Sequence, residues 1–272
     1  MPVADVSAII PCYRCADTIK RAVASIDSQV MKPAELILVD DCSGDNTLET
    51  LQVIQQTYGK KWVKIIALKE NLGCGMARNA GWDSATQPYV AFLDADDVWA
   101  DRKIEIQLSW MKNHPDVIYT GHPAKVLDND HCRPSDIKGQ PKFKRVHWLQ
   151  LLVSNRLAAA SIMAKRDATY RYAPDGRRRT EDYLLSCEIC LDDNLIYRCT
   201  ENLAAYFKPT FGAGGLSKDL WLMEKSELSV FSYLYKNRRL NLTMMLFAQA
   251  VSLIKYLRRV VIVGMFRPRR NT

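Results

Sequence analysis

The chain has 272 residues, of which 48% are hydrophobic, so a buried core is available and global disorder is excluded. Its net charge of +8 comes from residues 222–272, which carry ten Lys or Arg against two Glu, whereas residues 1–221 balance to zero. The basic character belongs to one end of the chain, which argues against a nucleic-acid partner.

Eight cysteines are scattered through the predicted strands, loops and helices. No basic segment opens the chain and Asp5 interrupts its first apolar residues, so we expect a cytoplasmic protein with reduced thiols. Two Cys-x-x-Cys pairs, Cys12/Cys15 and Cys187/Cys190, have the spacing of zinc half-sites. A structural zinc is the less favoured interpretation, because the first pair follows a strand and the second lies along a helix.

The first half of the chain alternates strand and helix patterns at short intervals. Apolar, β-branched runs predict strands over residues 6–10, 35–39, 63–68, 89–93 and 117–119. Apolar residues three and four apart predict helices from residue 19 and over 47–58, 75–85 and 101–113. This order predicts an α/β fold with a mostly parallel, Rossmann-like sheet flanked by helices. Ligands of such sheets bind beyond the carboxyl ends of the strands.

The second half has weaker patterns. Residues 122–148 are polar and contain several Pro, which predicts a long loop. Residues 158–164 predict a strand, a helix is expected after Thr180, and residues 195–207 predict a strand pair.

The basic end of the chain is also apolar. Residues 240–266 are interrupted by Lys255, Arg258 and Arg259, and the longest uncharged stretch, 240–254, is too short to span a bilayer. One interpretation is an interfacial helix that contacts an anionic membrane surface through residues 240–270. The other is a helix that packs on the rest of the protein with a solvated basic face.

Carboxylates are concentrated at the end of the fourth predicted strand, at Asp94, Asp96 and Asp97. Such charges repel one another unless a cation lies among them, and Mg²⁺ binds one or two carboxylates together with substrate phosphates. Alternation along an extended segment places Asp94 and Asp96 on the same side. The pattern predicts a divalent-metal site, with an exposed acidic turn or helix cap as the alternative.

Two other strand ends carry polar groups. Asp40 and Asp41 end the second strand and suit hydrogen bonds to a base or ribose, with an Asx-turn as the alternative. The segment from Asn71 through Gly73 opens a helix that carries Arg78 one turn inside it. A helix N-terminus with an arginine favours an anion, although an ordinary capped helix would have the same pattern.

Four ordered segments resemble the inverting family 2 glycosyltransferases, which have the GT-A fold. They are Ser7-Ala-Ile-Ile-Pro-Cys-Tyr13, Glu35-Leu-Ile-Leu-Val-Asp-Asp-Cys-Ser43, Asn71-Leu-Gly73 with Ala77-Arg-Asn-Ala-Gly81, and Tyr89-Val-Ala-Phe-Leu-Asp-Ala-Asp-Asp-Val-Trp99. The resemblance is dense over residues 4–115 and then thins. It implies transfer of a sugar from a nucleotide sugar, above all a UDP-sugar, to an acceptor hydroxyl with inversion.

The resemblance also implies a setting for the reaction. It suggests bacterial-type surface polysaccharide or lipopolysaccharide synthesis, a glycan or lipid-linked acceptor, and Mn²⁺ or Mg²⁺ as cofactor. The enzyme would be cytoplasmic or peripheral on the inner face of the cytoplasmic membrane. The implied domains are a catalytic domain over 1–215, with a nucleotide-sugar half (1–120) and an acceptor half (121–215), followed by a helical tail over 216–272.

Site residues follow from the same resemblance. The nucleotide-binding residues are Pro11, Tyr13, Asp40, Asp41, Asn71, Gly73, Arg78, Asp94 and Ala95, and the metal ligands are Asp94 and Asp96. Glu181 and Asp182 match the family's downstream acidic pair, with Asp182 as the catalytic base and a helix-capping acid as the alternative. The chain departs from the family pattern at Arg14 and at residues 208–215, which affects the loop contacts and the acceptor side.

Two rival functions remain open on the sequence. A sugar nucleotidyltransferase shares the parallel sheet and the metal-bound aspartates, but it would need a Gly-rich basic loop after the first strand, where residues 11–15 do not provide one. A non-catalytic nucleotide-sugar-binding protein is the other alternative, against which the three carboxylates Asp94, Asp96 and Asp182 argue.

Overall fold

The computed structural model describes residues 2–127, 141–192, 195–207 and 219–266, with side chains up to residue 262. The strands are β1 (Val3–Cys12), β2 (Lys32–Asp40), β3 (Val63–Ala67), β4 (Tyr89–Phe92), β5 (Val98–Trp99), β6 (Val117–Gly121), β7 (Ala124–Val126), β8 (Phe143–Arg145), β9 (Met163–Lys165), β10 (Leu195–Cys199) and β11 (Ala204–Tyr206). The helices are α1 (Ile19–Asp27), α2 (Thr47–Tyr58), α3 (Cys74–Ser84), α4 (Lys103–Lys112), α5 (Trp148–Val153), α6 (Glu181–Leu191), α7 (Leu220–Lys236) and α8 (Leu242–Phe266).

The larger sheet has the strand order β3-β2-β1-β4-β9-β6-β10-β8. Strands β3, β2, β1 and β4 are parallel, as are β6 and β10. Strand β9 is antiparallel to both of its neighbours, β4 and β6, and β8 is antiparallel to β10. The predicted mostly parallel α/β sheet is confirmed, and its carboxyl-end edge gathers the segments that follow β1, β2 and β4.

A smaller sheet holds the segment after the acidic turn. Strand β11 pairs with β5 in antiparallel fashion and with β7 in parallel fashion. Because β5 begins one residue after Asp97, this pairing fixes the turn that carries Asp94 and Asp96 between two sheets.

Helices cover both faces of the larger sheet, because successive residues of β1 enter different hydrophobic clusters. Ile9 packs with α3, α6 and α7, whereas Ala8 and Ile10 pack with α1, α2 and α4. Helix α3 lies close to the sheet: a Cβ added at Gly81 would be 2.5 Å from Cγ2 of Ile9. A side chain there would push α3, and the residues of its first turn, away from the sheet edge.

The cysteine pairs lie apart. Cys12 and Cys15 belong to the cluster of α1 and α2, and Cys187 and Cys190 to the cluster on the other face. Among the described residues, no three His, Cys, Asp or Glu side chains are grouped so that they could hold a metal ion. The four-thiolate zinc interpretation is therefore wrong, because the sheet separates the two pairs.

Several predictions for the second half need correction. The loop predicted over 122–148 contains β7 and β8, which are short strands held by partners distant in sequence. The strand predicted over 158–164 is a 3₁₀ turn, Ala159–Ser161, followed by β9. The two strands predicted over 195–207 are confirmed as β10 and β11, but they belong to different sheets and do not pair with each other. The C-terminal helical appendage is confirmed.

The appendage is a pair of packed helices whose basic residues do not all face solvent. Lys255 Nζ lies 2.7 Å from Glu227 Oε1, and Arg259 Nη2 lies 2.6 Å from Oε2 of the buried Glu224. The predicted solvated basic face is wrong for these two side chains, because the glutamates of α7 bind them. In the described part of the chain, no helix has the length and hydropathy that a membrane span requires. The boundary predicted at 215/216 and the segment 208–215 lie outside the described residues.

Candidate functional site

A cavity of 1420 Å³ opens at the carboxyl ends of β1, β2 and β4. It brings together side chains from loops that are far apart in the sequence. Its lining includes all but one of the predicted site residues: Pro11, Tyr13, Asp41, Asn71, Gly73, Arg78, Asp94, Ala95, Asp96, Glu181 and Asp182. Asp40 is the exception, since it is buried behind the lining and accepts a hydrogen bond from the Ser43 hydroxyl.

Asp41 organises the loop in front of α3. Its Oδ1 accepts the backbone N–H of Leu72 at 2.8 Å, and its Oδ2 accepts that of Gly73 at 2.9 Å. The Asn71 side chain returns a bond to the Asp41 carbonyl at 3.0 Å. Gly73 has a φ of +90°, which only glycine adopts without strain, so the loop reaches α3 in one defined shape. The contact between Asp41 and the nucleobase of a substrate stays a prediction. The carboxylate oxygens of Asp41 would make it with the lone pairs that do not accept from Leu72 and Gly73.

Arg78 is buried between two carboxylates. Its Nη2 lies 2.6 Å from Asp94 Oδ1 and its Nη1 lies 3.3 Å from Glu181 Oε1, while its side chain is 3% exposed. This ion-pair group joins α3, the acidic turn and the start of α6. Burying a guanidinium is costly unless it is paired, so Glu181 has a structural reason to be a carboxylate.

Asp182 has a different environment from Glu181. Its Oδ2 accepts a hydrogen bond from Asn155 Nδ2 at 3.3 Å, and the Asn155 Oδ1 is in turn held by the Leu157 N–H at 3.0 Å. Burial, followed by the charge of Glu181, raises the pKa of Asp182 to about 6. A carboxylate with this pKa can take a proton near neutral pH, and Asp182 lines the cavity, whereas the carboxylate of Glu181 binds Arg78.

The loops of the cavity contain unusual backbone. Three non-glycine residues, Arg14, Cys42 and Thr180, have φ values of 48°, 54° and 62°, in the left-handed region. They are adjacent to Tyr13, Asp41 and Glu181 respectively. Such conformations cost about 1–3 kcal/mol each and persist where surrounding contacts enforce them, often at functional sites.

The acidic turn fits a divalent cation that is shared with a substrate. Asp94 and Asp96 both line the cavity, and no third protein ligand is grouped with them among the described residues. Mg²⁺ and similar ions use one or two carboxylates and complete their coordination with phosphates and water. Residues Asp94 and Asp96 therefore suit a metal that binds together with a diphosphate.

The cavity also contains residues that the sequence patterns did not identify. Asn155, Arg156 and Arg198 come from segments far from the four motifs, and Arg258 and Ile262 come from α8. His122 is also present and is buried; its Nδ1 lies 2.9 Å from the Pro123 carbonyl. Burial, then the charge of Lys103, lowers the pKa of His122 well below its usual range. A neutral His122 that donates from Nδ1 has Nε2 as an acceptor.

Comparisons with known proteins agree with this geometry. The family model described as glycosyl transferase family 2 matches residues 7–170. The chain is 29% identical over 208 residues to a putative teichuronic acid biosynthesis glycosyltransferase, TuaG of Bacillus subtilis, covering 74% of this chain and 78% of that protein. It is 27% identical over 229 residues to UDP-Glc:alpha-D-GlcNAc-diphosphoundecaprenol beta-1,3-glucosyltransferase WfaP of Escherichia coli, covering 82% and 84%.

Solved structures support the fold. The structure of Staphylococcus aureus TarS 1-349 in complex with UDP-GlcNAc matches with a TM-score of 0.69 at 18% identity, over 97% of this chain and 76% of that one. A mannosyltransferase from Pyrobaculum calidifontis in complex with GDP-Man and Mn²⁺ matches with a TM-score of 0.66 at 15% identity, over 97% and 76%. These matches indicate the GT-A fold, and with the family match over most of the chain they show that the protein is a glycosyltransferase of family 2.

Proposed function

We propose that the protein transfers a sugar from a UDP-sugar to a lipid-linked diphosphate acceptor, with inversion at the anomeric carbon and with a divalent cation. The observation that carries this proposal is the single cavity that holds an acidic turn suited to a diphosphate and a carboxylate with a raised pKa. The activity of the Escherichia coli relative WfaP, a UDP-Glc:alpha-D-GlcNAc-diphosphoundecaprenol beta-1,3-glucosyltransferase, supports the UDP-sugar and the lipid-linked acceptor.

Asp182 is the proposed base. An acceptor hydroxyl is a weak nucleophile at neutral pH, so removal of its proton during attack contributes roughly 10²–10⁴-fold to the rate. Asn155 holds the carboxylate in position. One attack opposite the departing diphosphate inverts the anomeric carbon, and no covalent sugar–enzyme intermediate is required.

The leaving diphosphate gathers negative charge as its bond to the sugar breaks. Arg78 supplies a buried positive charge, and the N-terminal turn of α3 presents backbone N–H groups behind Gly73. A Mn²⁺ or Mg²⁺ ion held by Asp94 and Asp96 would add positive charge next to the leaving group. Glu181 is proposed to position Arg78 rather than to exchange protons with the acceptor.

Transfer with inversion can be tested with the full chain and a panel of nucleotide sugars. We expect UDP release from one UDP-α-sugar in the presence of Mn²⁺ and a sugar-diphospho-lipid, and a product with a β-linkage by NMR. Matched reactions with GDP- and dTDP-sugars are the control for which nucleobase the enzyme recognises. Release of pyrophosphate from a nucleoside triphosphate, without sugar transfer, would contradict the proposal and favour a nucleotidyltransferase.

Peripheral membrane contact is the second part of the proposal. Helix α8 exposes apolar side chains three, four and seven residues apart, among them Phe247 at 53%, Ile254 at 67%, Leu257 at 62% and Val261 at 58%. The face continues through Arg258 and Ile262, which line the cavity. An apolar face flanked by a cation suits an anionic bilayer surface, and here it would place the cavity beside a lipid-linked substrate.

The membrane contact predicts an effect of single charges on α8. Ile254→Glu and Leu257→Glu should each reduce co-sedimentation with phosphatidylglycerol vesicles about tenfold, because a carboxylate replaces buried apolar surface in the interface. Val53→Glu is the matched control, since Val53 is 51% exposed on α2. Equal vesicle binding by the α8 variants and the control would end this part of the proposal.

A further inference from the structure

Two arginines that are neighbours in the cavity, Arg156 and Arg198, each lack an acidic partner among the described residues. Arg156 follows α5 and Arg198 lies on β10, and both line the cavity. The Arg198 Nε donates to the Arg156 backbone carbonyl at 3.0 Å, which holds the Arg198 guanidinium beside Arg156. Burial, followed by the charge of Arg156, lowers the pKa of Arg198, so the two positive charges lie close enough to repel each other.

Three other cations of the cavity have carboxylate partners, and two more, Arg14 and Arg178, donate to oxygens of Ser43 and Asn71. Arg78 is paired with Asp94 and Glu181, Lys255 with Glu227, and Arg259 with Glu224. Arginine stays charged at any physiological pH, so Arg156 and Arg198 cannot relieve their repulsion by losing a proton. An anion between them would do so, and two guanidiniums suit the oxygens of a phosphate.

The arginine pair lies on the side of the base. Asn155 donates to Asp182 at 3.3 Å, and the next residue is Arg156, whose carbonyl holds Arg198. An in-line displacement places the base opposite the leaving diphosphate, so an anion next to the base belongs to the acceptor and not to the donor.

We infer that Arg156 and Arg198 form a subsite for the diphosphate of the acceptor, about one sugar unit from the hydroxyl that attacks. This inference rests on the proposed function, and it names the part of the acceptor that the enzyme recognises. It predicts that an acceptor sugar linked to a diphosphate is used in preference to the free sugar.

Binding of inorganic pyrophosphate to the full chain in EDTA tests the subsite without donor, metal or turnover. By calorimetry, Arg156→Gln and Arg198→Gln should each weaken binding about tenfold, which is the effect of losing one charge-assisted contact. The matched control is Arg145→Gln: Arg145 is exposed, does not line the cavity, and is paired in register with Tyr197, so it lies on the face of the sheet opposite Arg198. The Arg145→Gln variant should bind pyrophosphate with the same affinity as the wild type.

A kinetic measurement separates acceptor from donor. With Mn²⁺ and a sugar-diphospho-lipid, the two variants should raise the acceptor KM about tenfold and leave the donor KM and the hydrolysis of the nucleotide sugar unchanged. A raised donor KM, or pyrophosphate binding equal to wild type in Arg156→Gln, overturns the subsite. The side chain of Arg156 is exposed, so this variant keeps the test valid even if Arg198→Gln fails to fold. If the wild type itself does not turn over any nucleotide sugar, that result contradicts the proposed function instead.

Discussion

Replacing Asp182 with Asn is expected to lower kcat about a hundredfold to ten-thousandfold while leaving the donor KM unchanged, because the amide cannot accept the acceptor's proton. The substitution keeps the size of the side chain and its contact with Asn155, whose Nδ2 lies 3.3 Å from Asp182 Oδ2. Steady-state kinetics with saturating acceptor measures kcat, and calorimetric binding of the UDP-sugar measures donor affinity.

The pH dependence of kcat/KM is the control for the role of Asp182 as the base. The pKa of Asp182 is raised to about 6, so in the wild type kcat/KM should fall about tenfold per pH unit below that value. This limb should be absent in Asp182→Asn. A raised folded-state pKa also means that the ionised carboxyl disfavours folding above the pKa of an unfolded Asp, so the variant should have an equal or higher Tm at pH 8. Collapsed donor affinity with surviving turnover would show that Asp182 is not the base.

The first half of the fold follows from local sequence. Strands β1 to β4 and helices α1 to α4 each carry enough apolar residues at period 2 or 3.6 to identify themselves, and the rule for parallel sheets then places the acidic turns at one edge. That is why nine predicted residues from four separate segments line the same cavity, which Glu181 and Asp182 reach from the start of α6.

The second half depends on contacts between distant residues. Strand β9 has three residues, Met163–Lys165, and becomes a strand because β4 and β6 flank it. A segment of this length carries no period of its own. The same holds for β7 and β8, which lie in the polar, Pro-containing segment that predicts a loop, because their partners, β11 and β10, are more than fifty residues away.

The partners of the site residues could not be predicted for the same reason. Arg78 has the position of a diphosphate ligand in its motif, but its pairing with Glu181 joins residues 103 apart in sequence. Asn155, Arg156 and Arg198 have no motif at all, and they line the cavity because β10 and the segment after α5 meet beside α6. The basic tail also shows the limits of composition, since Lys255 and Arg259 bind glutamates of α7 rather than solvent.

Removal of the Asp96 carboxylate is expected to have an effect of similar size to that of Asp182→Asn, but on the departure of the diphosphate rather than on the attack of the acceptor. Asp96→Ala should reduce sugar transfer more than about a hundredfold. The variant lacks a carboxylate that is proposed to hold the cation, and without the cation the negative charge on the leaving diphosphate is not neutralised. The contact of this residue with Arg21 Nη2, at 2.8 Å, should persist, since the Asp96 backbone carbonyl makes it. Transfer is assayed over a Mn²⁺ titration, with circular dichroism as the check on the fold.

Asp116→Ala is the matched control, because Asp116 is exposed just before β6 and does not line the cavity. It removes the same charge and should leave transfer and its Mn²⁺ dependence unchanged. In Asp96→Ala the UDP-sugar should bind equally well in Mn²⁺ and in EDTA, whereas the wild type should bind it more tightly in Mn²⁺, since the carboxylates and the diphosphate share the ion. Wild-type activity in Asp96→Ala, with unaltered Mn²⁺ dependence, would remove the acidic turn from the site, and the diphosphate would then have to bind at another group of cations in the cavity.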